Sequence, residues 1–220
     1  MYMLPFMILS LVVQGVMNST FRKYGAIRNS RNLTGVQAAE RVLMHNGVKG
    51  VRIERVSGNY SDHFDPRTNV IRLSDTVYNS NSIAAVGVAC HEAGHAVQHA
   101  QNYLPNKIRS VILPAANLGS KLSWIFIVLG LITSTLQPLL YVGIILFSAA
   151  VLFTLATLPV EFNASSRALK CIKETGMLSE NEYTGAKRTL QAAAMTYVAS
   201  SATAVAQLLR LIFIANNRRN

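Results

Sequence analysis

A run of twenty residues without a charged side chain, Leu139 to Leu158, constrains this chain more than any other feature. At 1.5 Å per residue a helix over it is about 30 Å long, the thickness of a bilayer's hydrocarbon core. A second apolar stretch, Leu113 to Leu136, carries Pro114 and is interrupted by Lys121. Gln137-Pro138 joins the two tightly. Lys107, Arg109 and Lys121 stand before the pair, and Arg167, Lys170 and Lys173 stand after it. Basic residues favour the cytoplasmic side, so both flanks belong inside and the pair reads as a hairpin dipping in from the cytoplasm.

The remaining apolar segments fit that frame. Tyr2 to Asn18 is uncharged and lacks a basic leader and an Ala-x-Ala-like cleavage site, so it reads as a retained anchor. Arg22, Lys23, Arg28 and Arg31 follow it and put its far end in the cytoplasm, with the N-terminus outside. Thr189 to Ala215 is Ala/Ser-rich, then strongly apolar. A full crossing there would carry Arg218 and Arg219 outside, so a partly buried or interfacial helix is expected, with residues 189–215 kept as a candidate fourth span beside three clearer ones. The expected organisation is a membrane anchor over 1–18, a cytoplasmic catalytic part over 19–110, a transmembrane hairpin over 111–160, and a helical part over 161–220.

Composition enters at this point. The net charge of +11 would suit a nucleic-acid binder, but there is no dense Lys/Arg tract and few aromatics interleave with the charges. The basic residues flank apolar runs, where anionic lipid headgroups are the natural partner. A lipid bilayer is expected as partner and nucleic acid is not. Cys90 and Cys171 have neither knuckle nor redox-pair spacing, which excludes a disulfide framework and fits a reducing compartment.

Between anchor and hairpin the pattern turns polar. Thr34 is a helix N-cap, followed by Val36, Ala39, Val42 and Leu43 at helical spacing, with Gly47 as the stop. Val51 to Val56 and Asn69 to Ser74 alternate like strands, and Gly58 to Thr68 between them reads as a loop. Asn79 to Ser82 offers N-caps for a helix to about Tyr103, with Ile83, Val86, Cys90, Gly94 and Val97 as its apolar stripe.

That helix carries His91-Glu92-Ala93-Gly94-His95. Two histidines four residues apart lie one turn apart on one face, so their imidazoles can converge on one ion. Glu92 sits beside them as the catalytic base, close enough to take a proton from an activated water. The alternative, two satisfied helix histidines, leaves the pattern unexplained. His99 is about 12 Å along the helix from His91 and cannot share the ion, so a hydrogen-bonding or solvated role is left to it.

A catalytic zinc needs a third protein ligand. Of the later carboxylates Glu161, Glu174, Glu180 and Glu182, Glu161 stands out. It follows Pro159 at the expected opening of a new helix, where the hairpin returns the chain to the face it left. A glutamate favoured by the helix dipole is the competing reading. The expected metal set is His91, His95 and Glu161, with Zn2+ as cofactor and a peptide or protein substrate. The strand Asn69 to Ser74 could accept an extended substrate at a sheet edge. His63, Tyr183, Arg188 and Tyr197 are equal candidates to stabilise an oxyanion. Asp62, His63 and Asp65 form either a second metal site or, preferably, a polar turn.

The order of motif helix, apolar hairpin and glutamate helix resembles the YugP-type neutral zinc metallopeptidases of bacterial membranes. The resemblance runs through Thr34 to Gly47, Ser61 to Ser74, Cys90 to Gln98 and Leu158 to Leu169. More distantly the chain is similar to heat-shock-type membrane proteases and prenyl-protein peptidases. There a ligand glutamate is followed four residues later by an aspartate that orients a ligand; Glu161 matches the ligand, but Ser165 stands at the aspartate position. The resemblance implies an α+β membrane protein, mainly helical, with a gluzincin-like core, a small sheet and about three transmembrane helices. It also implies a multi-pass protein of the bacterial cytoplasmic membrane with its site facing the cytoplasm. Two other classes compete. A di-iron oxygenase needs about eight histidines against five here. A non-catalytic metal-binding scaffold would close its zinc with protein ligands, usually including Cys, and neither cysteine is placed to do so.

Overall fold

The computed structural model describes residues 3–59, 61–132 and 136–218. Seven helices and three strands follow in the order α1 (Leu4–Gly25), α2 (Gly35–His45), β1 (Arg52–Val56), β2 (His63–Asp65), β3 (Val70–Ser74), α3 (Asp75–Tyr78), α4 (Ile83–Ala100), α5 (Leu104–Ile132), α6 (Gln137–Glu174) and α7 (Glu180–Asn217). They form two compact units, one of residues 14–103 and 160–195, the other of residues 1–13, 104–159 and 196–220.

In the first unit the local signals act as expected. Thr34 closes a capping box: its hydroxyl accepts from Gln37 N while the Gln37 side chain accepts from Thr34 N at 3.0 Å. Gly47 takes φ +66°, a left-handed conformation that ends α2 without the Cβ penalty other residues meet. The core joins Val42 of α2, Ile71 and Leu73 of β3, and Val86, Ala89 and Val97 of α4, all fully buried.

The sheet corrects two expectations. Its order is β1-β3-β2, with β1 parallel and β2 antiparallel to β3. Strand β3 is therefore central, with both of its edges paired, and cannot accept a substrate strand; the free edges belong to β1 and β2. Strand β2 lies inside the stretch read as a loop. Its three residues, between Gly58 and Asp65-Pro66, are too few to show a period. The short helix α3 was also not anticipated.

In the second unit glycines let helices meet at backbone distance. A Cβ on Gly119 would lie 2.3 Å from the Leu146 carbonyl oxygen, and one on Gly130 would lie 2.3 Å from Leu140 N, so α5 and α6 pack closely in the manner of membrane helices. Ile127, Leu140, Ile144 and Leu211 form the small core. Outward side chains stay bare: Leu11 is 73 % and Ile145 70 % exposed, a surface suited to lipid rather than water. Four helices, α1, α5, α6 and α7, are long and apolar enough to cross a membrane. Helix α7 thus meets the same measure of length and apolarity as the three clearer candidates. Part of the expected span Leu113 to Leu136, residues 133–135, lies outside the described residues, as does Tyr2.

Helix α6 also differs from expectation. It runs unbroken through Pro159, so Glu161 does not open a new helix but sits well inside a long one. A proline removes one helical hydrogen bond and favours a kink, yet membrane helices tolerate it where neighbours re-satisfy the backbone. The dipole reading of Glu161 loses its basis, because no free helix N-terminus is near it.

Candidate metal centre

The site lies wholly within the first unit, between α4 and α6. Ser82 starts α4, its hydroxyl accepting from Ala85 N at 3.1 Å. Two turns on, His91 and His95 stand one above the other, their rings edge-to-face with centroids 4.7 Å apart. Their Nε2 atoms are 3.1 Å apart. Glu161 Oε2 lies 3.3 Å from His91 Nε2 and 3.5 Å from His95 Nε2.

Those three separations can be compared with a known geometry. Zinc bonds of about 2.0–2.1 Å at tetrahedral angles place neighbouring ligand atoms about 3.3 Å apart. The observed 3.1, 3.3 and 3.5 Å bracket that edge. Glu161 is 3 % exposed, and its Oε2 has no hydrogen-bond partner among the described residues. A buried anionic oxygen left unpaired is costly, and a divalent cation among these three atoms would satisfy it. The donor set of two imidazoles and a carboxylate suits zinc, with room for a fourth ligand.

The sequence explains the close approach of the two helices. A Cβ on Gly94 would fall 2.7 Å from the Ala164 carbonyl oxygen, and Ala93, Ala164 and Ala168 are fully buried. Only glycine lets α4 approach α6 this closely. Gly94→Ala should push the helices apart, destabilising the fold by about 1–3 kcal/mol and weakening zinc binding. Thermal unfolding of the metal-free protein and chelator competition measure the two effects separately.

Each histidine is held from behind. His91 Nδ1 is 3.0 Å from Ser165 Oγ, so the serine that departs from the relatives' aspartate nevertheless contacts a candidate ligand. His95 Nδ1 is 3.0 Å from Gln98 Oε1. Gln98, completely buried, donates to the Val160 carbonyl at 2.8 Å and to Asn163 Oδ1 at 3.0 Å. Arg167 Nε donates to Asn163 Oδ1 at 2.7 Å and its guanidinium lies over the Tyr103 ring. Gln98, Asn163 and Arg167 had no role assigned at this site from the sequence. The available signal was position, since 91, 95 and 98 share a helix face and Gln98 is a polar residue amid apolar neighbours.

Burial works against charge on His95, but the Glu161 and Glu92 carboxylates and the Gln98 carbonyl outweigh it and raise its pKa. Glu92 is itself 9 % exposed. His99 is exposed and rests against Phe64, apart from the trio. The other carboxylates are occupied or remote: Glu174 pairs with His45 at 3.1 Å, Glu182 accepts from Ser30 N and Ser179 N, and Glu180 is exposed in the first turn of α7.

Asp62 accepts from Ser74 N and Oγ, and Asp65 accepts from Thr68, Arg67 N and Arg72, which holds its carboxyl down at about 2. Both carboxylates are thus occupied at the ends of β2 rather than in a turn, and no second metal cluster occurs among the described residues. Of the oxyanion candidates, His63 binds the Ser61 carbonyl and Arg188 reaches the Tyr24 hydroxyl. Tyr197 belongs to the other unit. Tyr183 lines a cavity of about 400 Å³ together with Phe162, Ser165 and Lys170.

A zinc-type ligand set on a helical, membrane-suited chain defines a class, and comparison with known proteins agrees. Residues 1–216 match the family described as "Putative neutral zinc metallopeptidase", and the chain belongs to it. It is similar to the "Putative membrane protease YugP" of Bacillus subtilis (strain 168), with 43% identity over 212 residues, covering 96% of this chain and 94% of that protein. No solved structure matches significantly.

Proposed function

We propose that this chain is a membrane-bound zinc endopeptidase of gluzincin-like design, in which His91, His95 and Glu161 hold the metal and Glu92 is the general base. The observation that carries the reading is the convergence of two imidazole nitrogens and one unpartnered carboxylate oxygen at tetrahedral spacing. Bound there, zinc supplies Lewis acidity, polarising a scissile carbonyl and making water nucleophilic near neutral pH. Glu92 follows His91 in the chain, so it lies beside the ligands rather than among them. It takes the proton of the attacking water and delivers it to the leaving amine. Burial around Glu92 and Glu161 keeps bulk water from competing for their charge. The substrate is a peptide or protein, and the basic residues flanking α1 and α6 support a site on the cytoplasmic face of a multi-pass membrane protein.

The test is metal content and activity together. Purified protein should carry about one zinc per chain, and its hydrolysis of a protein substrate such as casein should stop with a chelator and return with zinc. Protein that binds no zinc after careful handling would favour a scaffold instead.

The pH dependence has a definite sign. Because the His95 pKa is raised in the metal-free fold, its protonated form stabilises that fold below the ordinary histidine pKa. That contribution is lost as pH rises through the folded value. Zinc needs the neutral ring, so its affinity runs the other way, falling by about tenfold per pH unit below the folded pKa for one displaced proton. Zinc titrations between pH 5 and 8, a window of about one unit and more on either side of the ordinary histidine value, should show this slope. A flat profile would contradict it.

A further inference from the structure

We propose that Gln98 is a positioning residue that selects the ligating tautomer of His95 and, with the same side chain, holds the backbone beside Glu161. The inference rests on the metal-site reading above.

The Val160 carbonyl is an acceptor that cannot be reversed. The Val160 carbonyl oxygen can only accept, so the Gln98 group 2.8 Å from it is the amide nitrogen. That orientation turns Oε1 toward His95 Nδ1 at 3.0 Å. An amide oxygen can only accept, so Nδ1 must carry the proton, which leaves the Nε2 lone pair of neutral His95 aimed at His91 and Glu161. Reversing the amide would set two acceptors against each other at Val160 and place the His95 proton on Nε2, where it blocks coordination. A buried amide therefore acts as a one-way selector.

The two hydrogen bonds also bracket two helices. Gln98 is on α4 three residues after His95, while Val160 is on α6 immediately before Glu161. One fully buried side chain thus ties a histidine ligand to the chain that carries the carboxylate ligand. Asn163 extends the tie, accepting from Gln98 and from Arg167. His91 has no equivalent, because the Ser165 hydroxyl can donate or accept and imposes no tautomer. The site is thus fixed through His95 and adjustable at His91.

The experiment measures zinc affinity by chelator competition and the visible spectrum of the cobalt-loaded protein for Gln98→Met, Gln98→Glu and Ser165→Ala. Methionine keeps length and burial but neither hydrogen bond. It should weaken zinc about 10–100-fold, the range for partners behind a metal ligand, and alter the cobalt bands. Glutamate restores only the acceptor for Nδ1–H and sets a carboxylate oxygen against the Val160 carbonyl, so it should regain part of the affinity at most. Ser165→Ala should cost less than Gln98→Met. Native affinity and an unchanged cobalt spectrum in Gln98→Met would overturn the proposal and reduce Gln98 to packing. Should Gln98→Met not fold, the ring-nitrogen NMR shifts of neutral His95 in the metal-free native protein decide: a proton on Nδ1 supports the role, and a proton on Nε2 overturns it. Native protein without zinc sinks the metal reading and this inference together; native zinc binding with an indifferent Gln98→Met sinks the inference only.

Discussion

Glu92→Gln should leave zinc content at the native level and lower peptide hydrolysis by about 10²–10⁴-fold, the usual contribution of a positioned general base. The amide has nearly the same shape as the carboxylate, so a residue 9 % exposed is replaced without a void. It cannot accept a proton from water. The charge of Glu92 also acts on His95, so its removal should ease protonation of that ring less and shift the acid limb of zinc binding to lower pH. Retained zinc with lost turnover is the expected pair of results. Comparable turnover by the variant would remove Glu92 from the mechanism, and loss of zinc would move it into the ligand set.

Glu161→Ala should have the largest effect on the metal. Partners behind a ligand are worth about 10–100-fold in affinity, so loss of a ligand itself should exceed about 100-fold. Glu161→Gln, which keeps the volume but loses the anionic oxygen, should fall between alanine and native. Metal analysis of the three proteins after equal dialysis gives the order. Circular dichroism of the metal-free forms separates this outcome from misfolding. If Glu161→Ala retains stoichiometric zinc at native affinity, the third ligand is another residue.

What could be read before the structure follows from the range of the signals. Thr34, Ser82 and Gly47 act within a turn of themselves, and each cap stands where the local chemistry puts it. The histidine pair is equally local, since helical geometry alone aligns residues 91 and 95. Glu161 needed a longer argument through the hairpin; the structure does bring it beside His91 and His95, but from the wrong local structure, because Pro159 was read as a boundary and α6 runs through it. Strand β2 and the central place of β3 were not legible. Pairing order depends on partners up to eighteen residues apart, and three residues carry no usable period. The Gln98 bracket lay furthest out of reach. Its meaning comes from the Val160 carbonyl, a backbone group with no sequence signature.

The connection between the two ligand helices has a consequence for biogenesis. Sixty-five residues separate His95 from Glu161, and they contain all of α5 and the apolar half of α6. A nascent chain that has not yet folded this hairpin offers a metal only two imidazoles, a weak and exchangeable site. Assembly of the full three-ligand set is thus deferred until the hairpin has formed.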